Sequence, residues 1–309
     1  MASSSSSSSS PLRSKVKVHA RSISLPSRSS HPLISQFNDY LQKVIDSEAT
    51  PSISLSSMSG KLSNLEYLYD CVDDLLLLPH SQHVFAQECQ EKWVDQTLDG
   101  YLRLLDSCTA TKDVLSNTKQ DLQKFISVLR RRRDAEDFCG FFISRKKAKK
   151  MIHKTIKEIK SIRNKPSIVL EKDHETIAIV SMLKEIEFVT SEVLESLLSY
   201  VVGAKESRWN LVSKLMQSKR VSSCQEDEAD VNEFEKLDSS LLLLAGGKTN
   251  KSGNHVNLQN QLREMESGIQ VVDEGLESLF KRLIKMREFS CIPNGNEGPN
   301  TNRLVVTNR

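Results

Sequence analysis

The sequence predicts an all-α fold, an antiparallel bundle of four to five long helices with disordered N- and C-terminal tails. Three observations carry this reading. Apolar residues recur at alternating steps of four and three through most of residues 61–288, the spacing of one buried helix face. No stretch alternates apolar and polar residues as a half-buried strand does. The composition, 38% apolar and only 6% aromatic with 27% charged, suits amphipathic helices better than a sandwich or barrel. A parallel coiled coil fits less well, because turns interrupt the stripes and the stripes are wider than an a/d seam.

Residues 1–60 read as a Ser-rich basic arm. Ser3–Ser10 is an unbroken serine tract, and no acidic residue precedes Asp39. Such a segment has too little apolar surface to order itself, and its composition is also that of a plastid transit peptide. Within it, Arg21, Ser22, Ser24 and Pro26 match the pattern that 14-3-3 proteins bind once Ser24 is phosphorylated, since the phosphate adds charge and acceptor oxygens for a basic groove.

The helical domain, 61–288, starts with capping-box spacing at Ser63–Glu66 and an apolar stripe through Leu62, Leu65, Leu68, Val72 and Leu75, which Pro79 stops. A second stripe from about Ser81 carries Val94, Leu98, Tyr101, Leu105 and Cys108. The polar run Ser107–Thr111 marks a break, although the stripe resumes in phase to Leu129 and one long helix is equally allowed. Arg130, Arg131, Arg132 and Arg133 close that helix, where cations suit the dipole. Gly140 interrupts, and the next helix is expected from about Ser144. On its wheel, Ala148, Met151, Ile152, Thr155, Ile156, Ile159 and Ile162 form an apolar arc, while Lys146, Lys147, Lys149, Lys150, Lys154, Lys157 and Lys160 fall outside it. Asn164–Pro166 is a turn, residues 173–202 form a further helix, and 225–238 read as an acidic linker that alternatively screens the lysine face within the molecule or between molecules. After a loop at 245–254, the last helix holds 4-3 steps from Leu258 to Met286, and 289–309 read as a tail.

The charge is concentrated. Residues 129–165 carry fourteen Lys/Arg against four Asp/Glu, a local +10 in a chain whose net charge is +3. With Arg145, the arginines and lysines of this stretch make a candidate basic binding face. It leaves open a solvated surface, a protein partner or an anionic membrane surface, with nucleic acid less favoured because no aromatics interleave with the charges. Phe138, Phe141 and Phe142 cluster instead as a junction between helices.

Chemistry finds no support. Gly246–Thr249 lacks the first glycine and the strand of a P-loop. His80, His83 and Cys89 make a poor metal set. Asp73 and Asp74 read as solvated acids at a helix end. No catalytic residue, metal or cofactor is expected. Six scattered cysteines point to reduced thiols in an intracellular, cytoplasmic protein without a secretion signal, and no run approaches the ~18–20 apolar residues of a membrane span.

Seven stretches are collectively distinctive: Arg21–Pro32 (RSISLPSRSSHP), Leu75–Pro79 (LLLLP), Lys92–Asp95 (KWVD), Leu102–Asp106 (LRLLD), Leu129–Arg133 (LRRRR), Ser144–Lys150 (SRKKAKK) and Gly275–Lys285 (GLESLFKRLIK). Over residues 21–287 the chain resembles a plant-specific helical family grouped with the BYPASS proteins. The resemblance implies a non-enzymatic regulatory protein of root and shoot development and carries over no site residues. Two features depart from the family: the polar ending from Glu288 onward and the Ser3–Ser10 tract.

Overall fold

The computed structural model describes residues 32–49, 54–88, 92–131, 135–163, 174–203, 231–245 and 252–289, and every element among them is an α-helix. In chain order these are α1 (Pro32–Ala49), α2 (Leu55–Leu76), α3 (Pro79–Glu88), α4 (Lys92–Arg130), α5 (Ala135–Arg163), α6 (His174–Val202), α7 (Glu233–Ala245) and α8 (Ser252–Phe289). Five of them are long, and these build the bundle.

Local chemistry sets the ends. Ser54 is extended and its hydroxyl accepts the Ser57 N–H at 3.1 Å, so α2 starts there and not at the Ser63–Glu66 spacing, which lies inside the helix. Pro79 occupies the first turn of α3, where its missing N–H costs nothing. Ser81 donates to the Leu75 carbonyl at 2.8 Å and ties the two helices together. Of the two readings open at Ser107–Thr111, the structure takes the single long helix. There the hydroxyls of Ser107, Thr109 and Thr111 each donate to the carbonyl four residues back, which satisfies them without leaving the helix. At the end of α6, Gly203 takes φ +71° and its N–H bonds the Tyr200 carbonyl, a left-handed stop that favours glycine.

Residues 32–49 of the expected arm are helical. Helix α1 lies within 1–60 and packs on α2 and α6, burying Phe37 and Val44. Lys61 of α2, itself buried, pairs with Glu48 of α1 at 3.1 Å and reaches Ser196 of α6 at 3.3 Å. Phe37 and Val44 have nothing to pack on locally, so tertiary contact with α2 is what makes this segment worth ordering.

Consecutive long helices run in alternating directions. Phe125 of α4 stacks on Phe141 of α5 at 4.8 Å, and Asp121 accepts from Ser144, as an antiparallel pair requires. Helix α8 then returns between α2 and α4, parallel to the first and antiparallel to the second. Its two flanks carry opposite chemistry. Toward α4 it offers Glu266, Gln270 and Glu277 to Gln123, Lys119 and Lys112. Toward α2 it offers Ser278, Arg282 and Lys285 to Glu66, Asp70 and Asp73. Asp73 is therefore buried and paired rather than solvated; only Asp74 of that couple is exposed.

A polar seam crosses the interior. Tyr69 meets Thr190 at 2.9 Å, and the Tyr101 hydroxyl donates to the Leu183 carbonyl at 3.3 Å. Burial raises both phenols above their ordinary range. The Glu187 carboxylate lies against Gly100, where any Cβ would overlap it.

Helix α8 approaches α2 closely because two glycines seven residues apart meet two leucines seven residues apart. A Cβ at Gly268 would lie 2.7 Å from Leu55 Cδ1 and 2.9 Å from Leu55 Cβ, and one at Gly275 would lie 3.1 Å from Leu62 Cδ1. The Leu55 Cβ cannot swing away as a rotamer can. Gly268→Ala is therefore expected to destabilise the protein by about 1–3 kcal/mol despite its gain in helix propensity. Urea denaturation checks this, and a stabilised variant would contradict the close approach.

Candidate functional site: the basic helix α5

Helix α5 runs through Gly140, not from Ser144. No atom lies within 4 Å of a Cβ added there, so this glycine costs only the ordinary ~1 kcal/mol of a helix-interior position. Phe141 and Phe142 are buried at the junction with α4, as their clustering predicts. Inward from them, Ile152, Ile159 and Ile162 enter the core with Thr155.

The helix is rolled differently from its apolar wheel. Met151, expected in the core, is 47% exposed, whereas Arg145 and Lys149 are only 3% and 6% exposed. These two are not part of an open basic face. Both bind Asp238 of α7: Arg145 Nε donates to one carboxylate oxygen at 3.2 Å, and Lys149 Nζ to the other at 2.9 Å. Arg145 Nη2 also donates to the Val201 carbonyl at 2.6 Å, placing the cation at the negative end of the α6 dipole. Its guanidinium lies 4.9 Å from the Phe234 ring, which in turn meets Tyr200 edge-on at 5.5 Å. Burial holds the Lys149 ammonium below its ordinary pKa, although Asp238 acts in the opposite direction.

Helix α7 corrects the linker reading from 233 onward. Asn232 starts it, accepting the Glu235 N–H at 2.8 Å while donating to the Tyr200 carbonyl at 3.2 Å. Phe234, Leu237 and Leu241 pack it down. The alternative reading, acids screening the basic helix within the molecule, describes Asp238. Its partners lie 93 and 89 positions away, and no local pattern announces them. The spacing of Arg145 and Lys149 on the flank of Ile152 was the one available signal.

Six lysines do face outward: Lys146, Lys147, Lys150, Lys154, Lys157 and Lys160. Lys154 pairs along its own helix with Glu158 at 3.7 Å, and Lys160 with Glu195 of α6 at 3.0 Å. No carboxylate among the described residues pairs with Lys146, Lys147, Lys150 or Lys157. Ile143 stands 71% exposed in the same face. Arg130 and Arg131 are exposed at the end of α4 and its following turn. Arg132 and Arg133 lie outside the described residues, as do Arg21, Ser22, Ser24 and Pro26 of the 14-3-3 pattern.

Among the described residues, no group of three or more His, Cys, Asp or Glu is arranged to hold a metal, and no helix is long and apolar enough to cross a membrane. A cavity of about 370 Å³ opens between α2, α7 and α8 over Leu237, Leu258, Leu262 and Met265. Its polar rim of Glu233, Lys236, Gln261 and Glu264 forms no catalytic arrangement.

The Asp238 cluster is a structural lock. Asp238→Ala removes the carboxylate that two buried cations share and is expected to cost about 3–5 kcal/mol in urea denaturation. Combining Asp238→Leu with Arg145→Met and Lys149→Met is expected to recover most of that loss. A cost below about 1 kcal/mol for Asp238→Ala would show that the cluster does not hold α7.

Comparison with known proteins places this architecture. No curated protein and no solved structure shows a match. The family model described as Protein BPS1 matches residues 61–288, about three quarters of the chain. The match takes in α3 to α7 entire, nearly all of α8 and all of α2 beyond its opening turns. With that span and the helical order it contains, the chain belongs to the Protein BPS1 family, and membership makes it a regulator of plant development.

Proposed function

We propose that this developmental regulator performs no reaction and works as an interaction protein, receiving an acidic protein partner on the outward lysine face of α5. One observation carries the proposal: the isoleucine arc of α5 is consumed by the core while its lysines project outward, four of them without a carboxylate among the described residues. A solvated face that served only solubility would gain from intramolecular pairing along the helix, as Lys154 has with Glu158. Lysines without a carboxylate among the described residues keep their charge available to a partner and steer its approach.

A second reading rests on Ile143. An exposed isoleucine next to Lys147 and Lys150 suits an anionic membrane surface, where each basic residue contributes about 1 kcal/mol. The burial of Ile152, Ile159 and Ile162 weighs against it, since an interfacial helix needs its apolar face for lipid.

Lys147→Glu/Lys150→Glu/Lys154→Glu separates the readings. The variant is expected to melt like the wild type, because all three side chains are exposed. It is expected to fail to restore normal growth in plants lacking the protein, with neither form sedimenting with phosphatidylserine vesicles. Full restoration by the variant would remove the lysine face from function. Salt-sensitive sedimentation of the wild type alone would favour the membrane.

A further inference from the structure

Helix α8 begins well before the helix it packs against. Leu55, the first residue of α2, lies against Gly268, and Leu62 lies against Gly275, so the two helices share a parallel register from that level onward. Leu258, Leu262 and Met265 all precede Gly268 on α8. At 1.5 Å per residue, Leu258 stands about 15 Å beyond the start of α2. These side chains continue the buried stripe of α8, and over this stretch α7 faces them with Leu237.

The space left open there is the cavity of about 370 Å³. Leu55, seated against Gly268, closes one end. Leu237, Leu258, Leu262 and Met265 make its floor, each 5% exposed or less. The wall on α7 is fixed, because Asp238, next to Leu237, is the carboxylate that Arg145 and Lys149 hold. Voids in close-packed interiors rarely exceed a water molecule. Small-molecule pockets instead measure about 300–1,000 Å³, with apolar walls and a few polar groups at defined places. This cavity falls at the lower end of that range, which suits a compact ligand.

The mouth selects the head group. Glu233, in the first turn of α7, accepts the Leu55 N–H at 3.4 Å, so its carboxylate sits at the N-terminus of α2. A carboxylate has more acceptor positions than that one bond uses. Glu264 adds a second carboxylate at the exposed edge, against the single ammonium of Lys236. An anionic head would meet net repulsion here, whereas an ammonium head finds both charge and acceptors.

We propose that this cavity binds a small amphipathic amine, its apolar body on the leucine floor and its ammonium group at Glu233. The site lies apart from the lysine face of α5 and takes a ligand of opposite charge.

Fluorescence of N-phenyl-1-naphthylamine, an apolar arylamine that brightens out of water, tests this on the full chain. The wild type is expected to give a saturable rise. 4-Phenylbutylamine is expected to displace the dye at concentrations at least about tenfold below those of 4-phenylbutyrate, which has the same apolar body and the opposite charge. Leu258→Trp fills the cavity, and Ser56→Trp covers its mouth from an exposed position. Each is expected to weaken dye binding at least about tenfold, Ser56→Trp with an unchanged urea midpoint. Glu233→Gln/Glu264→Gln is expected to keep dye binding and lose the preference for the amine. The proposal is overturned by a wild type without a saturable signal or by a signal that neither tryptophan reduces. Displacement by the acid as effective as by the amine, or an amine preference that survives the double substitution, would equally overturn it.

Discussion

The roll of α5 about its own axis decides which of its cations the molecule offers, and Asp238 sets that roll. With Arg145 and Lys149 drawn inward to one carboxylate, Ile152 and Ile159 are carried into the core and Lys147, Lys150 and Lys154 are carried out. Two further features hold the Arg145 cation in place. Arg145 takes the terminal carbonyls of α6, and its guanidinium lies over Phe234. A cluster of this kind contributes less net stability than its contacts suggest, since desolvation of the ions offsets most of their attraction. Its consequence is geometric: any other roll would strand a charge.

Helix α8 supplies a comparable constraint for the rest of the bundle. Glycines 268 and 275 let it approach α2 at a fixed register, and its two differently charged flanks distinguish α2 from α4. Apart from those to the buried Asp73, the polar contacts lie at the rim of the helix pairs, where each is worth a few tenths to about 1 kcal/mol, so they choose the arrangement more than they stabilise it. The stabilising term is the uninterrupted stripe from Leu258 to Met286, all of whose nine 4-3 positions are buried.

Helices with a complete apolar stripe were legible in the sequence. The last helix and the stripe through Ile179, Leu183, Ile186, Thr190, Val193, Leu197 and Tyr200 appear as their periodicity requires. What escaped depends on residues far apart in the chain. Helix α1 needs α2 to cover Phe37 and Val44, and α7 needs Arg145 and Lys149 to make a place for Asp238. Composition alone reads the first segment as part of a Ser-rich arm and the start of the second as an acidic linker. The run Ser107–Thr111 leaves a break and one long helix equally open for a local reason, because serine and threonine suit turns as well as the back-bonded helix they form here. A wheel drawn from hydrophobicity places Arg145 and Lys149 with the other cations, and only their partner shows that they belong inside.

Selective lysine acetylation read by mass spectrometry tests the central claim most directly. In the native protein Lys147, Lys150, Lys154 and Lys157 are expected to be modified rapidly and Lys149 to be protected, with protection lost on substituting Asp238 by Asn. Modification of Lys149 at the rate of its neighbours in the wild type would contradict the inward roll and, with it, the face assigned to function.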